Sequence, residues 1–96
     1  MVKYQASPNF IHRKITGLDV LISVGENIAD FNGYIQLNAS AAFLWDALQQ
    51  PRTPEELEQL LAGQFGITRE VAAADAAEFL RDLTAHGMVK ELIDGL

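Results

Sequence analysis

From residue 10 the chain passes through two β-branched runs, FIHRKIT over 10–16 and DVLISV over 19–24, joined by Gly17 and Leu18. That spacing reads as a tight hairpin. Successive strand residues point to opposite sides, so Val20, Ile22 and Val24 share one face. A polar, glycine-bounded loop, GENIADFNG, leads to a third run, YIQL, in which Ile35 and Leu37 point one way and Tyr34 and Gln36 the other. The pattern predicts three antiparallel strands.

At Asn38 the period changes from two to about 3.6. Its side chain can accept from the free amides of a new helix while its backbone leaves the strand. Ala41, Leu44, Trp45 and Leu48 then form one apolar stripe that ends before Pro51. Thr53, Pro54 and Glu56 make a capping box with proline at the first helical position, and Leu57, Leu60, Leu61 and Phe65 are its expected buried face. A third helix is expected from Thr68 to His86, stopped by Gly87 in the left-handed conformation. MVKELI follows as a short extended tail.

The third helix has three faces. Ala72, Ala76, Phe79 and Leu83 centre on the core, and Asp75, Glu78 and Asp82 form an acidic stripe to one side. On the other side Ala73, Ala77, Leu80 and Thr84 make a small, weakly polar surface bordered by Arg81. Another backbone could approach closely there, and ordinary packing against a neighbouring helix would explain the same pattern.

Composition narrows the function. Ninety-six residues, 49% of them hydrophobic, suit one core and leave no room for a large enclosed active site beside it. The polar start lacks the apolar core of a secretory signal and no apolar run could span a bilayer, so a cytoplasmic protein is expected, with no membrane partner. The absence of cysteine excludes disulfides, thiolate zinc sites and cysteine nucleophiles. The net charge of −6 is uneven, because residues 1–18 carry Lys3, Arg13 and Lys14 and no acid. The acidic remainder repels nucleic acid and anionic membranes.

No catalytic or metal motif is present. His12 and His86 have no second ligand at metal-binding spacing, and each reads as a solvated residue, one on a strand and one at a helix end. The serines lack a nucleophile-elbow context, and the glycines form no phosphate-binding loop. No cofactor is expected, and the chain is expected not to be an enzyme. Strands followed by three helices also suit a winged helix-turn-helix, which leaves a DNA-binding module as the competing reading. Against it, the third helix carries Arg69 and Arg81 against Glu70, Asp75, Glu78 and Asp82.

The LN closing the third strand, the AFLW of the first helix, the TPEEL of the second, the DAAEFLRDL of the third and the HGMV that ends it together resemble the PqqD family of small peptide chaperones. The resemblance covers nearly the whole chain. It implies an α+β, winged-helix-like fold, a three-stranded antiparallel sheet followed by three helices, in a single domain over 1–96 with a loose N-terminus over 1–8. It implies a monomer that binds the leader of a ribosomally made precursor peptide and presents it to a radical S-adenosylmethionine maturase or another peptide-modifying enzyme. In that mode the leader adds as an antiparallel strand on the edge of the third strand, beside the third helix. The residues implied are Tyr34, Ile35, Gln36 and Leu37 for the strand, with Ala73, Ala77, Leu80, Arg81 and Thr84 on the helix. The long VGENIADFNG connection looks more like the general branch of the family than its quinone-pathway members, so any modified peptide encoded nearby is an admissible substrate.

Overall fold

The computed structural model describes residues 2–24 and 34–93, so the expected loop over 25–33 lies outside the described residues. Eight elements follow in order: β1 (Val2–Ala6), β2 (Phe10–Ile15), β3 (Leu18–Ser23), β4 (Tyr34–Leu37), α1 (Ala39–Ala47), α2 (Pro54–Phe65), α3 (Arg69–Ala85) and β5 (Val89–Ile93). The expected three-stranded antiparallel sheet is present in the order β2-β3-β4, and the three helices follow it.

The hairpin turn falls one residue earlier than expected. Thr16 (φ 49°) and Gly17 (φ 82°) occupy it, and Ile15 pairs with Leu18. Positive φ at both central residues is the type I′ geometry, whose twist matches that of the flanking strands. Thr16 is β-branched and sits poorly at positive φ. Its hydroxyl donates to the Ile15 carbonyl at 2.7 Å.

The helix starts behave as their sequences predict. Asn38 accepts from Ala41 N–H at 2.8 Å. Thr53 accepts from Glu56 N–H at 3.1 Å while the Glu56 carboxylate accepts from Thr53 N–H at 2.8 Å, closing the capping box. The Thr53 amide holds the Glu56 carboxyl below its ordinary range. Thr68 caps α3 by accepting from Val71 N–H at 3.2 Å. Gly66 takes the left-handed conformation (φ 63°) that ends α2, and Gly87 (φ 73°) follows α3 as expected.

The core lies between the β2-β3-β4 sheet and the helices. Leu21, Leu44, Trp45, Leu48, Leu57, Leu61, Ala72 and Ala76 are its most deeply buried members, with Trp45 at 1% exposure. The apolar stripe of α1 and the core face of α3 are therefore placed as expected. On β3 the residue facing the helices is Leu21, in register with Ile35. The shared face of Val20, Ile22 and Val24 is the outer one, although Val20 is buried as well.

Three expectations are corrected. Residues 2–6 are no loose terminus, because β1 pairs antiparallel with β5 from Val2↔Ile93 to Ala6↔Val89. Ala6 N–H also donates to Leu48 C=O at 2.8 Å, and Tyr4 N–H to Arg52 C=O at 2.7 Å. The partner of β1 is at the far end of the chain, where local pattern cannot reveal it. On α2 only Leu57 and Leu61 are buried, and Leu60 (37%) and Phe65 (40%) are exposed. Leu57 and Leu61, four apart, suffice to seat α2, and Phe65 instead meets Phe43 edge-to-face at 5.8 Å. His12 is also not a solvated strand residue, as described below.

Candidate functional site

The free edge of β4 is defined by hydrogen-bond parity. Val24 N–H donates to Asn9 C=O at 2.8 Å, one step beyond the Phe10↔Ser23 pair. Hydrogen-bonded pairs alternate along an antiparallel ladder, so Ile11–Ile22, Arg13–Val20 and Ile15–Leu18 exchange bonds across β2 and β3. The two-residue turn closes on the same kind of pair. The backbone groups of Asp19 and Leu21 then face β4, where they meet Leu37 and Ile35. Tyr34 and Gln36 are left with their N–H and C=O groups pointing away from β3. β4 is the last strand in the sheet order, so among the described residues these groups have no strand beside them.

Asn38 ends this edge by turning the chain into α1, and a groove of about 280 Å³ lies at that corner, with the end of β4 and the start of α1 on one side and α3 on the other. Leu37, Asn38, Ser40, Ala41 and Leu44 line one side, and Asp75, Glu78, Phe79, Asp82 and Leu83 the other. Phe79 and Leu83 belong mainly to the core, each 8% exposed. The three acids are exposed and rim the groove. Sequence periodicity identified both sets of α3 residues, but as core and solvated stripe. Only the position of β4 shows that they border the same opening.

The small face of α3 lies elsewhere. Ala77, Leu80, Arg81 and Thr84 line a separate opening of about 520 Å³ with Tyr4, Pro54 and Ala85. The structure thus brings together the strand residues expected for the site, and separately the helix residues Ala77, Leu80, Arg81 and Thr84, with α3 between the two groups. Ala73 lines neither opening. Leu80 is buried at 6%, and the buried Thr84 hydroxyl oxygen has no hydrogen-bond partner among the described residues. The angular positions along α3 were legible in the sequence. The missing information was the path of β1, which brings Tyr4 to this second face.

A third polar cluster joins three elements. His12 on β2 places Nε2 2.7 Å from Asp19 on β3 and Nδ1 2.9 Å from Asp46 on α1. Its side chain is 19% exposed. Burial pushes the imidazole pKa down, but the hydrogen bonds to Asp46 and Asp19 and their negative charges prevail and raise it above 6.5. This arrangement suits an imidazolium cross-brace. Among the described residues no cluster of His, Cys, Asp or Glu could hold a metal ion. No helix is long and apolar enough to cross a membrane among those described.

Two solved structures share this fold. One is TbiB1 in complex with the TbiA(beta) leader peptide, at a TM-score of 0.70 and 21% identity, covering 90% of this chain and 94% of that one. The other is a lasso peptide synthetase B1 complexed with the leader peptide, at a TM-score of 0.69 and 23% identity, covering 91% and 96%. A comparison with curated proteins finds no match. The family model of Coenzyme PQQ synthesis protein D matches residues 20–89, from the centre of β3 to the start of β5. That match takes in the open strand, its groove and all three helices, and by it the chain belongs to the PqqD family.

Proposed function

We propose that this protein binds the leader of a ribosomally synthesised precursor peptide as an added antiparallel strand on β4 and presents the rest of the peptide to a modifying enzyme. The observation that carries this reading is the outward N–H and C=O groups of Tyr34 and Gln36 beside the groove against α3. Main-chain bonds to such an edge supply affinity whatever the peptide sequence, and the groove reads alternate side chains. Membership of the PqqD family and the two leader-bound proteins of like fold support it. The enzyme served is a radical S-adenosylmethionine maturase or another peptide-modifying enzyme. The chain itself acts as a single peptide-recognition domain, a cytoplasmic monomer, and performs no catalysis. A DNA-binding role is disfavoured by α3, whose exposed charges are mostly acidic.

Gln36→Pro tests the reading. Proline removes an outward ladder donor without touching the bonds from Ile35 and Leu37 to β3, and edge strands tolerate it. Titration calorimetry with a synthetic leader of the precursor encoded beside this gene should show binding weakened by about 1–3 kcal/mol, the cost of a leader acceptor left unpaired. Unchanged affinity in a folded variant removes β4 from the site.

A further inference from the structure

The proposed groove carries charge of one sign. Asp75, Glu78 and Asp82 rim it, and no cation is among the residues that line it. Asp75 and Glu78 have no ion-pair partner among the described residues. Asp82 has Arg81 Nε at 3.9 Å, but Arg81 lines the other side of α3, and both side chains are exposed. Acids three and four positions apart on a helix repel and oppose its formation. Here they stand i, i+3 and i+7 along the side of α3 that lines the groove with Leu37 at the end of the open strand. A solvated acidic stripe on a helix is common, but this one rims a groove that begins where β4 ends, a strand whose outer edge has no strand beside it among the described residues.

We infer that the leader segment accepted by this groove is basic, with Lys or Arg at groove-facing positions beside apolar residues. The inference rests on the strand-addition reading above. In an added strand, alternate side chains face α3. A Lys or Arg there lays its methylene stem over Leu37, Ala41 and Phe79 and brings its charged head to the rim acids. An acidic side chain at the same position meets three carboxylates. The rim therefore selects by attraction and by repulsion, and the attraction raises the association rate.

Selection of random 12-residue peptides displayed on phage against the full chain supplies the probe. Synthetic copies of the enriched peptides are then measured by fluorescence anisotropy against the wild type, Gln36→Pro, Glu78→Lys/Asp82→Lys, and the gentler Asp75→Asn/Glu78→Gln/Asp82→Asn. The expected result is enrichment of Lys and Arg, with binding that falls on Gln36→Pro and about tenfold on charge reversal, a few exposed ion pairs being lost together. Amide neutralisation should cause a smaller loss in the same direction, and added salt should weaken binding to the wild type. Peptides that depend on Gln36 but are neutral or acidic and indifferent to both acidic-rim variants overturn the charge inference and leave strand addition standing. Basic peptides indifferent to Gln36→Pro overturn both, since they report only attraction to an acidic protein.

Discussion

Replacing His12 with Ala removes a brace whose strength should depend on pH in a definite direction. The imidazole joins β2 to β3 through Asp19, whose side chain is 20% exposed, and to α1 through Asp46, whose side chain is 61% exposed. A charge-assisted hydrogen bond to a mostly buried carboxylate contributes about 1.5–3 kcal/mol, and an exposed pair about 0–1 kcal/mol. The protonated brace should therefore contribute about 2–3 kcal/mol. Neutral imidazole carries one N–H, so it can donate to only one of the two carboxylates, and the other then faces a ring lone pair. The folded-state pKa lies above the unfolded value of 6.5. The added stability is thus fully present below 6.5 and is lost as pH rises through the folded pKa. Lys14 Nζ, 4.0 Å from Asp19, offers that carboxylate another cation but is mostly exposed. Urea unfolding of wild type and His12→Ala at pH 5.5 and pH 8.5 measures the difference, with His86 common to both. The variant should lose about 1–2 kcal/mol more at pH 5.5 than at pH 8.5. An equal loss at the two pH values, or a larger one at pH 8.5, would mean that burial outweighs the two carboxylates and that the imidazole folds neutral.

Two further substitutions probe the core and the second opening. Trp45→Ala empties the centre of the α1 stripe, where the indole is 1% exposed, and should cost about 3–5 kcal/mol by chemical denaturation; a loss well under 1 kcal/mol would remove Trp45 from the core. Ala77→Phe, on an exposed position across α3 from β4, should change stability by no more than about 0.5 kcal/mol and leave leader affinity in calorimetry unaltered. A large loss of affinity would return the small face of α3 to the peptide site.

The features of this fold that were legible in the sequence are local ones. Asn38, Thr53 and Thr68 announce their helices because capping depends on groups within three residues. The alternation of YIQL puts Ile35 and Leu37 on one face, and that face is the core side in the structure. What sequence could not give is set by distant partners. Leu21, not Val20, faces the helices, since which side of β3 is inner depends on the helices that cover it. Lys3 and Tyr4 become strand residues only through β5. The candidate site divides in the same way: its strand was readable from alternation and its edge role came only from the family resemblance, while which face of α3 borders the groove depends on how α3 is rotated in the fold. Helical periodicity lists the faces of a helix without saying which neighbour each meets. His12 is a similar case, with one partner 7 residues away and the other 34.

The pairing of β1 with β5 also bears on how the molecule is made. Its contacts join residues 83 to 91 positions apart, from Ala6↔Val89 to Val2↔Ile93, so nearly the whole chain must be looped before they form. Closing a long loop is entropically costly until other contacts have shortened it, and distant pairings of this kind slow folding. The hairpin and the helices can organise earlier, since their contacts are mostly short in sequence. Tyr4 is held beside Pro54 and the far side of α3 both by this pairing and by its paired backbone bonds with Arg52. The groove at the end of β4 draws on neither β1 nor β5, whereas the opening around Thr84 takes a wall from Tyr4, so fraying of the paired ends would open the second site and leave the first intact.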